Sequence, residues 1–187
     1  MKKKQFIEKL NLEGQRVLTR VDYNVPLNDK QKITDNGRIK ATLPTVNYII
    51  ENGGRAVLMS HLGRPGGERI ESLSLKPAAV ELSGLLGQHV KLAPDCIGEE
   101  VNNLVDAMQN GDVVLLENLR FHKAETNNDP TFCEALSENG DVYVNDAFGT
   151  AHRAHASTSG VVSYICLLYT SPSPRDQRGS GSAGCGW

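Results

Sequence analysis

Short apolar or β-branched runs alternate along the chain with amphipathic stretches. The runs are Val17 to Val21, Ala56 to Ser60, Val90 to Leu92, Val113 to Leu116 and Val142 to Val144, bounded by Gly, Asn, Asp or Pro. Brief runs of this kind predict five buried strands. Between them, Ile39, Leu43, Val46 and Ile50 recur at helical spacing within Arg38 to Asn52, where Pro44 predicts a kink and Gly53-Gly54 a stop. A second helix is predicted from a Ser74 N-cap through Pro77 in the first turn, with Ala78, Leu82 and Leu85 on one face and Gly87 at the end. A third spans about Gly98 to Gln109, with Val101, Leu104, Val105 and Met108 buried, and a fourth about Pro130 to Glu138. Strand and helix repeated in turn predict an α/β fold: a parallel sheet with helices on both faces, a Rossmann-like three-layer arrangement.

The pattern breaks at Cys166. From there to Trp187 Ser, Pro and Gly crowd together without periodicity, which predicts a disordered or non-native tail. Cys166 to Asp176 resembles the translation of a transposase-type sequencing adapter, so an assembly artefact is expected from about Cys166; a natural flexible tail is the alternative. Gly179-Ser-Gly181-Ser-Ala-Gly184 matches a dinucleotide fingerprint in letters, but neither a strand nor a helix flanks it, so it is set aside. No G-x-x-x-x-G-K-[ST] phosphate loop occurs.

Composition narrows the classes. The 187 residues are 39% hydrophobic and 22% charged with a formal net charge of -2, which suits a soluble domain. The near-balanced charge and aromatic content of 5% argue against a nucleic-acid surface. No run approaches the roughly 18 apolar residues of a membrane span, and no secretory signal opens the chain, so no membrane partner and a cytoplasmic location are expected. Cys96, Cys133, Cys166 and Cys185 are widely spaced and predict reduced, unreactive thiols. His152 and His155 without a Cys pair or H-E-x-x-H give no zinc motif, and no G-x-S-x-G elbow marks a nucleophile.

Chemistry is expected where open parallel sheets bind ligands, outside the carboxyl ends of the strands. The first strand is followed by Asp22, Asn24 and Pro26, the second by His61, Gly63 and Arg64. Glu117, Asn118 and Arg120 follow the fourth; Asn145, Asp146, His152, Arg153 and His155 follow the fifth. Singly, each has a plainer reading: an Asx turn for Asp22 and Asn24, a solvated loop for His61 and Arg64, an ion pair with Glu117 for Arg120, exposed loop histidines for His152 and His155. Together, with Arg38 at the start of the first long helix, they predict a pocket for a small phosphorylated acid, since guanidinium forks match phosphate and carboxylate oxygens.

These residues also spell motifs. Arg20-Val-Asp22-Tyr-Asn24-Val-Pro26, Ser60-His-Leu-Gly-Arg-Pro65, Ser74-Leu-Lys-Pro77, Glu117-Asn-Leu-Arg-Phe121, Asn145-Asp-Ala-Phe-Gly149 and Gly149-Thr-Ala-His-Arg-Ala-His155 resemble, in order and spacing, the amino-terminal domain of the phosphoglycerate kinase family. The resemblance runs from about Lys4 to Ile165. It implies reversible phosphoryl transfer in glycolysis between 1,3-bisphosphoglycerate and ADP, giving 3-phosphoglycerate and ATP with Mg²⁺. Carried over by motif, Asp22, Tyr23 and Asn24 would meet the hydroxyl and carboxylate region of the substrate. His61, Leu62, Gly63, Arg64, Arg120 and Arg153 would surround its non-transferred phosphate, supported by His152 and His155. Arg38, in Gly37-Arg38-Ile39, is the expected catalytic residue, reaching toward the group in flight. The expected organisation is a phosphoglycerate-binding domain over 1–165, incomplete at its end, and the tail over 166–187. The nucleotide domain that would bind Mg-ADP or Mg-ATP is missing from the match. No cofactor or metal is therefore expected on this chain, a monomer is expected, and turnover is not. The alternative is a free-standing phospho-acid-binding module without catalysis.

Overall fold

The computed structural model describes residues 7, 10–147, 154–165 and 167–170. Among the described residues, six parallel strands form one sheet in the order β3-β4-β2-β1-β5-β6. They are β1 (Arg16–Arg20), β2 (Arg55–Met59), β3 (Val90–Leu92), β4 (Val113–Leu115), β5 (Val142–Asn145) and β6 (Leu167–Thr170). The helices are α1 (Gly37–Glu51), α2 (Lys76–Leu86), α3 (Glu99–Asp106), α4 (Lys123–Asn127) and α5 (Pro130–Ser137).

Successive side chains of a strand point to opposite faces, and the core divides accordingly. Val17, Ala56, Leu58, Val113, Leu115, Val142 and Val144 belong to one apolar cluster with Ile39, Val46 and Ile49 of α1 and Leu82 of α2. Leu18, Val57, Met59, Val114 and Tyr143 belong to the other, with Val101 and Val105 of α3 and Phe132 and Leu136 of α5. The three-layer expectation therefore holds, both sheet faces being covered.

Several details differ from the sequence expectation. Regular structure does not end at Ile165: Leu167–Thr170 adds a sixth strand, in register from Val142 opposite Leu167 to Asn145 opposite Thr170. The Leu-Leu-Tyr-Thr run has the composition of a strand, masked in the sequence by the Ser, Pro and Gly that follow it. The buried stripe of α1 is Ile39, Thr42, Thr45, Val46 and Ile49, so two threonines join it, while the predicted Leu43 and Ile50 are partly buried against the same core. Thr42 is buried because it bonds inward: its hydroxyl donates to Ile39 O at 2.8 Å and lies 2.9 Å from the Tyr23 hydroxyl. Leu75 rather than Ser74 occupies the N-cap position of α2, while Ser74 Oγ accepts the Lys76 N–H at 3.2 Å. Gly87 ends that helix in a left-handed conformation, as expected.

Candidate functional site

All strands run the same way, so the loops after β1, β2, β4 and β5 share one edge of the sheet. A continuous line of hydrogen bonds joins the first three. In α1, Arg38 Nη1 donates to Asp22 Oδ2 at 2.6 Å, and Asp22 Oδ1 accepts the Asn24 N–H at 3.3 Å. Asn24 Oδ1 accepts from Gly63 N–H at 2.9 Å, and the Gly63 carbonyl accepts from Arg120 Nη1 at 2.8 Å. Both the turn reading of Asp22 and Asn24 and their placement at the edge thus hold. Arg120 does not pair with Glu117. That buried carboxylate accepts instead from Ser74 Oγ at 2.7 Å and from Leu75 N–H and Asn118 N–H at 2.8 Å.

Asn118, fully buried, clamps the β2 and β4 loops together. Its Oδ1 accepts Leu62 N–H at 3.2 Å and Arg120 N–H at 3.0 Å, and its Nδ2 donates to Leu62 O and Leu73 O at 2.7 and 2.8 Å. Gly63 sits at φ +64°, and a Cβ there would lie 2.8 Å from a Leu73 methyl. Only glycine lets the loop turn this tightly.

A cavity of about 430 Å³ opens beside this line, among Arg64, Arg120, His122, Lys123, Thr126 and His155, with Gly66 and Gly67 on its floor. Its lining is cationic and hydrogen-bond donating, the chemistry that receives a phosphate. A larger groove of about 770 Å³ between the Gln31 to Ile33 turn and the start of α2 carries Pro77 and Val80 but no guanidinium or imidazole. The smaller cavity is therefore the candidate anion site.

The predicted site residues fall into distinct places. Arg64 is exposed at the cavity, Arg120 half-buried in its wall, and His155 half-buried opposite. Arg38 is exposed, with Asp22 less so. The side chains of Tyr23 and Leu62 are buried in the core, which leaves only their backbone groups at the edge. Tyr23 instead ties its N–H to Ser60 Oγ at 2.8 Å and its hydroxyl to Thr42, and burial pushes its phenol well above the usual value. His152 and Arg153 lie outside the described residues.

His61 is 5% exposed, and behind it lies a network the motifs did not reveal. Arg20, 1% exposed, donates from Nη2 to His61 Nδ1 at 3.0 Å, from Nε to Ser157 Oγ at 2.9 Å and from Nη1 to Val21 O. Ser157 passes the interaction on, its Oγ and N–H donating to the buried carboxylate of Glu125 at 2.5 and 2.9 Å. Burial pulls the Arg20 guanidinium below its ordinary value, while Glu125 opposes the shift; it remains a cation at neutral pH. A basic residue at a strand end was visible in the sequence, but its inward aim was not. Lys123 and His122 were also missed, although they directly follow the Glu117 to Phe121 motif.

Comparisons with known proteins place the chain in a family. A family model described as phosphoglycerate kinase matches residues 7–169, past the boundary expected at Ile165 and through most of β6. The phosphoglycerate kinase of Chloroherpeton thalassium is 55% identical over 163 residues, covering 87% of this chain and 41% of that protein. That of Borrelia duttonii is 59% identical over 159 residues, covering 85% and 40%. The chain thus spans about 40% of the length of these curated relatives. Among solved structures, the phosphoglycerate kinase of Coxiella burnetii superposes with a TM-score of 0.81 at 38% identity, covering 94% of this chain and 43% of that one. The enzyme of Pyrococcus horikoshii gives 0.78 at 36% identity, covering 88% and 42%. A match over residues 7–169, joined to the same fold at this identity, has one consequence: the chain belongs to the phosphoglycerate kinase family.

Proposed function

We propose that this chain supplies the phosphoglycerate-binding part of a phosphoglycerate kinase, acting in glycolysis on 3-phosphoglycerate and 1,3-bisphosphoglycerate. The observation that carries this reading is the hydrogen-bonded line from Arg38 to Arg120 running into a cationic cavity. The non-transferred phosphate sits in the cavity, against Arg64, Arg120 and His155. Asn24 has spent its carbonyl oxygen on Gly63 N–H, so its amide N–H groups remain to donate toward the substrate's carboxylate or hydroxyl. His152 and Arg153 complete the cationic set by motif.

Phosphoryl transfer needs positioning and charge stabilisation more than covalent help. Arg38, exposed but aimed by Asp22, offers a permanent positive charge to the transferring group. Family membership implies nucleotide and Mg²⁺. The cavity's guanidinium, imidazole and ammonium donors suit an anion and do not fit a Mg²⁺ ion, which takes oxygen ligands. No step on this chain is assigned to the metal.

Calorimetry with 3-phosphoglycerate tests the assignment. Salt-sensitive binding that weakens in Arg64→Ala and in Arg120→Ala supports it; unchanged binding in both variants refutes the cavity as the phosphate site.

A further inference from the structure

The segment after β3 and the residue after the short 3-10 turn Leu119–Phe121 meet at the edge of the cationic cavity, which His122 also lines. There Asp95, Cys96 and His122 each present one potential ligand atom, and all three atoms lie within 4.8 Å of one another. We propose that these side chains form a binding site for a single zinc-class divalent cation, with solvent filling the remaining coordination position.

The donor set is the first support. A carboxylate oxygen, a sulfur and an imidazole nitrogen are the groups zinc takes in tetrahedral sites, and three protein ligands leave one position open. Exposure is graded to match: Cys96 is buried, whereas the side chains of Asp95 and His122 are 35% and 28% exposed, so a cation enters from their side.

The supporting shell is rigid. Asn139, fully buried, donates from Nδ2 to Cys96 O at 3.0 Å, and Glu117 N–H donates to Asp95 O at 3.3 Å. The His122 ring stacks in a tilted arrangement on Phe132 of α5, with centroids 5.3 Å apart. Ligands held by packed elements in this way need little reorganisation to bind.

Without metal the groups satisfy each other. His122 Nε2 lies 2.6 Å from Asp95 Oδ1, which also accepts Cys96 N–H at 2.6 Å. A cation takes the place of the proton between imidazole and carboxylate, that proton passing to Nδ1 of the ring, and the nitrogen and oxygen separate to about 3.3 Å, the edge of a tetrahedron with bonds of about 2.0 Å. The thiol proton leaves to solvent as sulfur coordinates. A neutral His122 binds through Nε2 with its ring hydrogen on Nδ1, so metal binding releases one proton.

The test uses the full chain carrying Cys166→Ser and Cys185→Ser, so that only Cys96 and Cys133 remain as thiols. Titration with Co²⁺, under a phosphine reductant, is followed through the near-ultraviolet thiolate-to-cobalt charge-transfer band. The expected result is a band that saturates at one equivalent, is displaced by Zn²⁺, survives Cys133→Ser and disappears in Cys96→Ser. Zn²⁺ affinity should fall by more than about 100-fold in His122→Gln and in Asp95→Asn, beyond what loss of a merely supporting residue costs. Asp95 is partly exposed, so its variant serves if Cys96→Ser fails to fold. Absence of the band in a natively folded background protein overturns the proposal. So does an unchanged band in Cys96→Ser, or unchanged Zn²⁺ affinity in folded Asp95→Asn.

Discussion

Arg20 donates from Nη2 to Nδ1 of His61 over 3.0 Å, with both side chains buried beneath the edge where the strands end. A guanidinium has no acceptor, so Nδ1 must accept and the ring hydrogen sits on Nε2. The tautomer of His61 is thereby chosen by a residue on the neighbouring strand, and a second proton on that ring would face a cation.

Nitrogen-resolved NMR of the His61 ring should therefore show the neutral Nε2–H form at neutral pH. A signal for the Nδ1–H tautomer or for imidazolium would sink the assignment. Arg20→Met removes the cation that faces Glu125 through Ser157, leaving a buried carboxylate without charge compensation. Denaturant unfolding should show a loss of about 3 kcal/mol.

Arg64 and Arg120 both line the anion cavity, yet only Arg120 is part of the fold's hydrogen bonding through Gly63 O. Arg64→Ala should weaken 3-phosphoglycerate binding about tenfold with an unchanged melting temperature. Arg120→Ala should weaken binding similarly and also cost about 1 kcal/mol of stability. Equal melting temperatures for the two variants would contradict the distinct structural role of Arg120.

Gly63→Ala places a Cβ 2.8 Å from Leu73 in a left-handed backbone. Destabilisation of about 1 to 2 kcal/mol is expected, with loss of the Asn24 contact and so of substrate affinity. A stable, fully binding Gly63→Ala protein would show that the loop conformation is not required.

Acid sensitivity should come in part from Asp141. Burial alone would raise its carboxyl, but the hydrogen bonds and charge of Arg16 overcome this and hold it below the ordinary value. A lowered folded-state value means the unfolded chain takes up the proton first. The stabilisation is therefore complete above the ordinary carboxylate range, near pH 4, and is lost as the pH falls through the folded value. Because Asp141 is partly exposed, Asp141→Asn should cost only about 1 kcal/mol at pH 7. Stability measured from pH 7 down to pH 3 should decline less steeply in the variant. Parallel curves would exclude the Arg16 pair as a source of acid sensitivity.

Where local pattern decided the outcome, the sequence was readable. Val90–Leu92 and the start of α5 at Pro130 lie where expected, and Gly87 closes α2, because strand runs, a first-turn proline and a left-handed glycine act through the backbone of their own segment. The edge carrying Asp22, Asn24, Arg64 and Arg120 was legible for a similar reason: in a parallel sheet, whatever follows a strand arrives at the same edge. Thr42 and β6 escaped, since a threonine becomes a core residue only when a partner such as the Tyr23 hydroxyl meets it, and an edge strand forms only when β5 offers a register.

The sequence by itself determined the α/β alternation, the family and the edge of the sheet to which the strand-end Asp, Asn and Arg residues are delivered. The tertiary structure alone decided which charged groups face ligand and which face each other. Arg20 and Arg64 are the same residue type at neighbouring strand ends, yet one is buried against His61 and Ser157 while the other stands at the cavity. Likewise Asp95 and His122 are 27 positions apart and become partners only through the pairing of β3 with β4. Burial, ion pairing and ligand convergence are properties of distances across the fold, and those distances do not exist until distant segments pack.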